Sequence, residues 1–129
     1  MRRTPLLIGA ALTLSACSAG MAPTALPDGA VRHVVAFRYS DDATPAEIQE
    51  ATAAFADLPN RIDGILDFEH GVNISPEGLD RGFTHVYLVT FRDAAARDAY
   101  LPHPEHQAFG RLLDRLGILE EVFVVDYEP

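Results

Sequence analysis

The 129-residue chain has no lysine and a single cysteine, Cys17. Without lysine, Schiff-base chemistry is closed to it. With one cysteine it can form neither an intrachain disulfide nor a cysteine-based metal site, so folding does not depend on an oxidising compartment. Positive charge is scarce as well: 10 basic residues, all arginine, stand against 19 acidic ones. Arg2 and Arg3 sit at the extreme N-terminus, and without them 8 basic residues face 19 acidic ones, a net charge of −11. That balance argues against nucleic acid as a partner and against electrostatic docking on anionic lipid.

What is present begins with a leader. Arg2 and Arg3 precede the apolar run Leu6–Leu14, which has the length of a signal-peptide core and is too short for a permanent transmembrane helix. It closes on Leu14-Ser15-Ala16-Cys17, which resembles the lipobox of bacterial lipoproteins. The resemblance implies cleavage before Cys17, lipidation of its sulfur and an acylated amine, and two or more acyl chains suffice for stable anchoring. The expectation is a signal peptide over 1–16, a flexible tether over 17–30 and a domain over 31–129, anchored by lipid in the bacterial cell envelope and facing the periplasm.

Within the domain, Val31–Tyr39 is rich in β-branched and aromatic residues and reads as a strand. Thr44-Pro45-Ala46-Glu47 supplies a capping residue, a proline at the first helical position and a Glu at the third, and Ile48, Ala51, Phe55 and Leu58 form the apolar stripe of the helix behind it. Ile65–Ile74 reads as a second strand, 75–82 as a loop and Phe83–Phe91 as a third strand. Asp93 caps a short helix through Tyr100 and Leu101. Pro102 and Pro104 interrupt it, a second helix runs from Pro104 to Leu116, Gly117 stops that helix, and Glu120–Tyr127 is the last strand. The order strand, helix, strand, strand, helix, strand predicts an α+β, ferredoxin-like βαββαβ fold with a four-stranded antiparallel sheet and helices on one face. Such a sheet standing alone exposes polar residues on its open face. Val86-Tyr-Leu-Val89 and Val122-Phe-Val-Val125 are apolar on both parities instead. A second copy of the chain is the expected cover, hence a homodimer.

The chemistry concentrates in Tyr100-Leu-Pro-His103-Pro-Glu-His106, a phenol and two imidazoles within seven residues. Histidine titrates in the physiological range, and a tyrosine hydroxyl beside it makes an acid–base pair when the fold joins them. His106 falls in the first turn of its helix, at the positive end of the dipole, where a neutral imidazole suits a general base. Tyr100 can donate to a carbonyl as charge develops on it. His33 and His85 lie in strands, sharing their faces with Phe37 and Tyr87 respectively. They are candidates for the same pocket or for a hydrogen-bonded core network. His103 precedes Pro104 and is biased away from helix; it shapes the start of the helix and is counted with the pocket. His103 and His106 have a His-x-x-His spacing, but Pro104 breaks the register that would align them and no third ligand follows. No metal and no cofactor are expected. His70 is assigned no role.

His33-Val-Val-Ala-Phe37, Gly71–Leu79, Gly82–Phe91, Tyr100–Phe109 and Val124–Tyr127 together resemble the stress-responsive A/B barrel (Dabb) domain over residues 31 to 127. The resemblance implies a dimeric α+β barrel of ferredoxin-like subunits. It implies much less about activity, because most members have no assigned reaction. One plant member closes a polyketide chain by intramolecular aldol condensation without a cofactor. Its catalytic tyrosine and histidine fall at Tyr100 and His106, and its other pocket histidines at His33 and His85. A further pocket tyrosine on its first helix is matched by Phe55 or a neighbour. The leading expectation is a pocket for a small apolar or aromatic molecule. The alternatives are a cofactor-free cyclase or aldol-type lyase using His106 and Tyr100, and a structural stress-response dimer without ligand.

Overall fold

The structure, a computed structural model, describes residues 25–129. The leader, Cys17 and the first part of the tether lie outside the described residues. The element order is β1 (Val31–Tyr39), α1 (Pro45–Ala56), a 3-10 turn (Leu58–Asn60), β2 (Ile65–Val72), β3 (His85–Phe91), α2 (Ala94–Tyr100), α3 (Pro104–Leu116) and β4 (Leu119–Tyr127). The four strands form one antiparallel sheet in the order β2-β3-β1-β4. This is the expected ferredoxin-like arrangement.

Local chemistry explains the helices. Thr44 caps α1 as a capping box, its hydroxyl accepting from the Glu47 amide while the Glu47 carboxylate accepts from the Thr44 amide. Asp93 caps α2 by accepting from the Ala96 amide at 2.8 Å. Gly117 ends α3 in the left-handed conformation, φ 64°, which a residue with a Cβ adopts only at a cost. The loop after β2 is longer than the sequence indicates, because β2 ends at Val72 rather than Ile74 and β3 starts at His85 rather than Phe83. The Asn73 amide still pairs with the Thr84 carbonyl, but the Asn73 side chain then turns the chain, accepting from the Ser75 amide and donating to Asp80.

The core lies between the sheet and the helices. Phe55 of α1 sits at its centre, with ring centroids 4.7 Å from Phe109, 5.0 Å from Tyr87 and 6.0 Å from Phe37. On the other face the strand register aligns Val34 with Leu88 and Val125, and Ala36 with Val86 and Phe123. Among the described residues no helix covers that apolar stripe, and Phe123 is 52% exposed.

Candidate functional site

Three turns of chain build the site. α2 ends at Tyr100, the His103 amide donates back to the Tyr100 carbonyl at 3.0 Å, and α3 begins at Pro104. The connection is so short that the last ring of α2 and a ring in the first turn of α3 must meet: Tyr100 and His106 lie 4.1 Å apart between centroids, 31° from parallel. Gly64 lets α2 approach the sheet. Its φ is +92°, and a Cβ there would fall 2.6 Å from the Ala96 Cβ. Tyr100 is thereby pressed over β1, 5.9 Å from the His33 ring and 4.9 Å from Phe91.

His33, Tyr100 and His106 line a cavity of about 310 Å³ between the sheet and α2–α3, with Phe37, Phe55 and Phe109 behind them and Val122 and Val124 of β4 at its outer side. Val122 and Val124 are 46% and 48% exposed, so the cavity opens along the edge strand.

The polar atoms in it are unevenly satisfied. His106 Nδ1 lies 3.0 Å from the Leu101 carbonyl, one of the free carbonyls at the end of α2. A carbonyl only accepts, so Nδ1 carries the proton and Nε2 of the neutral ring bears the lone pair. His33 Nδ1 lies 2.6 Å from Asp126 Oδ1, and an ionised carboxylate likewise only accepts, which leaves Nε2 free there too. The Tyr100 phenol is raised above the ordinary tyrosine range by burial alone, with no described hydrogen-bond partner contributing. Burial pushes the Asp126 carboxyl up, but hydrogen bonds from His33 and Arg97 outweigh it and hold the group below the usual carboxylate range.

The other sequence candidates are placed elsewhere. His85 lies toward the far end of the same sheet face, opposite Val72 and Phe37. With His70, Thr52 and Gln49 it lines a second opening of about 330 Å³, so it does not join His33 in one pocket. The physical reason is the aromatic wall of Phe37, Phe55 and Tyr87 between them. Tyr87 is part of that wall; its hydroxyl lies 3.0 Å from the Tyr39 hydroxyl and 2.9 Å from Thr52 Oγ1. Phe37 lines the Tyr100 cavity. His103 is the N-cap of α3, its Nδ1 accepting from the Glu105 amide at 3.1 Å, a structural position outside the cavity lining. Among the described residues no group of three or more His, Cys, Asp or Glu side chains gathers as a metal site, and no helix is long and apolar enough to cross a membrane.

Sequence reasoning passes over Asp126 and Arg97. Arg97 Nη1 donates to Asp126 Oδ2, on the side of the carboxylate away from His33. The signal for Asp126 is visible in hindsight: it is the one charged residue in the apolar run Val122–Tyr127.

Residues 31–129 match the family described as the Stress responsive A/B Barrel Domain. The Arabidopsis thaliana stress-response A/B barrel domain-containing protein HS1 is 36% identical over 101 residues, 78% of this chain and 91% of that protein. Olivetolic acid cyclase of Cannabis sativa is 28% identical over 100 residues, 78% of this chain and 97% of the enzyme. Among solved structures, a dimeric ferredoxin-like protein of unknown function from Jannaschia superposes with TM-score 0.66 at 31% identity, covering 78% of this chain and all of that one. Hydroxynitrile lyase from Passiflora edulis does so with TM-score 0.69 at 27% identity, covering 80% and 95%. Sequence and topology agree: the chain belongs to the stress-responsive A/B barrel domain family.

Proposed function

We propose that the cavity binds a small, largely apolar or aromatic carbonyl compound and carries out cofactor-free proton-transfer chemistry on it, of the cyclase or aldol-type lyase class. One observation carries this reading: the Tyr100 hydroxyl has no described partner, and its ring packs against an imidazole whose Nδ1 is fixed and whose Nε2 is free. In such a reaction His106 Nε2 accepts the proton that leaves a hydroxyl or an α-carbon, while the Tyr100 hydroxyl donates a hydrogen bond to the oxygen on which charge develops. That two relatives are named as a cyclase and a lyase supports the class; it leaves the substrate open.

The test offers the purified protein an aromatic cyanohydrin such as mandelonitrile and, separately, a poly-β-keto thioester, and follows product formation. His106→Ala should lower turnover by about 10²–10⁴-fold, the range for a positioned acid–base group. Equal turnover by mutant and parent removes the catalytic reading. A second reading, binding without turnover, is favoured by the apolar lining; it predicts saturable uptake of an aromatic ligand that survives His106→Ala.

Two further proposals concern assembly. The chain forms a homodimer through the open sheet face, supported by the uncovered stripe of Val34, Val86, Leu88, Phe123 and Val125 and by the dimeric relative. On that face the β2–β3 loop brings Phe83 to within 6.1 Å of Phe123 and leaves a bowl of about 710 Å³ that a partner can fill. Val125→Glu should yield monomers in sedimentation velocity; an unchanged dimer refutes this interface. Cys17 carries the lipid anchor that holds the domain to the periplasm-facing envelope, and Cys17→Ser should abolish the acylated mass.

A further inference from the structure

Arg97, Asp126 and His33 come from three different elements, α2, β4 and β1, and meet at one end of the cavity. His33 and Asp126 are directly opposed in the β1–β4 register, with Nδ1 and Oδ1 2.6 Å apart. Arg97 Nη1 holds the other carboxylate oxygen, and Arg97 Nε is itself fixed by Asp98 Oδ1 at 2.7 Å. The imidazole is only 6% exposed yet lines the cavity. The arginine precedes Tyr100 by three residues, which sets both side chains on one face of α2.

We propose that Arg97 and Asp126 are positioning residues that hold His33 with Nδ1 protonated and Nε2 turned to the cavity, as a second proton-transfer group working with the Tyr100–His106 pair. The proposal rests on the acid–base reading of that cavity. A carboxylate can accept but not donate, so it selects one tautomer of the neutral ring, and it also stabilises the imidazolium that forms when Nε2 takes a proton. Asp126 needs help to stay in place. It sits on an edge strand, its side chain is one-quarter exposed, and a free carboxylate there would turn to water. Arg97 supplies two things: a cation that keeps the carboxylate ionised and turned inward, and a tie from α2 to β4. One contact thus couples the placement of Tyr100, carried by α2, to the orientation of His33, carried by β1.

The test reads the His33 imidazole directly, by long-range ¹H–¹⁵N spectra of the ¹⁵N-histidine-labelled protein, with His33→Gln assigning the signal. In the parent, His33 should show a protonated Nδ1 and a pyridine-like Nε2. Asp126→Asn is nearly isosteric, but its amide can donate to Nδ1, and the proton should move to Nε2. Arg97→Leu should give a mixture of tautomers, and Arg97→Lys should restore the parent spectrum. If mandelonitrile is turned over, Asp126→Asn should lower kcat on the order of 10²-fold with KM little changed, the scale of a misplaced reacting group. An unprotonated Nδ1 in the parent, or the same tautomer in Asp126→Asn, overturns the proposal. A parent without turnover counts against the acid–base reading alone, because the spectra report His33 without any substrate.

Discussion

Two clusters on the helix-facing side of one sheet contain nearly the same residues. One gathers His33, Tyr100 and His106; the other gathers His70, His85, Tyr39 and Tyr87. Both combine two imidazoles with tyrosine, one phenol in the first and two in the second, and both border openings of similar size, about 310 and 330 Å³. They differ in how their hydrogen bonds close. In the second cluster the hydroxyls of Tyr39, Tyr87 and Thr52 satisfy one another, so burial and the bond to Tyr87 only push the Tyr39 phenol further from ionising. In the first, each imidazole is pinned through Nδ1, His33 by Asp126 and His106 by the Leu101 carbonyl, and the Tyr100 hydroxyl has no described partner. Residue type does not separate a core network from a reactive site here. What separates them is the phenol: the tyrosine hydroxyls of the second cluster are paired, whereas the Tyr100 hydroxyl has no described partner beside a space that a ligand can occupy.

Phe55 is the wall between the clusters, and removing it should produce the largest effect. Phe55→Ala deletes a ring packed on Phe37, Tyr87, Phe68 and Phe109 and should cost about 3–5 kcal/mol in urea unfolding. The two openings would also become continuous, so an aromatic probe should bind with altered stoichiometry or affinity. A loss below about 1 kcal/mol would mean that the wall is not the core of the domain.

A matched pair of tyrosine substitutions divides the clusters more finely. Tyr87→Phe removes a hydroxyl that serves the buried Tyr39 and the half-buried Thr52 and should destabilise by about 1–3 kcal/mol. Tyr100→Phe removes a hydroxyl without a described partner from an equally buried ring. Its stability should stay within about 0.5 kcal/mol of the parent, because no described hydrogen bond is lost. Turnover, where present, should fall in Tyr100→Phe and persist in Tyr87→Phe. Equal losses of stability at both positions would erase the distinction between network and site.

Much of this was legible in the sequence, for physical reasons. Thr44-Pro45-Ala46-Glu47, Asp93 and Gly117 mark helix ends because caps depend on chemistry within a few residues. The Tyr100–His106 pair is legible because Pro102 and Pro104 force a connection too short to separate the two rings. His85 shows the limit. Its strand face follows from period-two alternation, but its distance along the sheet from His33 follows from register, which places His85 opposite Phe37 and His33 opposite Val89. Asp126 and Arg97 illustrate the same limit, since the contact between them spans 29 residues and joins a helix to an edge strand. Pairings set by tertiary register leave no local pattern to read.

The smallest effect, on pH dependence, separates the clusters without any substrate. Burial, and then the nearby His70, lower the His85 pKa from 6.5. The folded state therefore binds fewer protons at His85 than the unfolded chain just below pH 6.5, and the stability this ring contributes is present above that pH and lost as pH falls toward the folded value. Asp126 is held below the usual carboxylate range; its contribution is present above about pH 4, the unfolded aspartate value, and is lost as pH falls through the lower folded one. Each cluster thus leaves its mark in a different window. His85→Gln should flatten the decline of stability just below pH 6.5 and leave the acid limb alone, while Asp126→Asn should do the reverse. Urea midpoints measured from pH 7.5 to 3 in both variants decide the matter. A His85→Gln curve parallel to the parent near pH 6 would mean that this imidazole titrates alike in folded and unfolded chains, and the second cluster would then be as open to protons as bulk water.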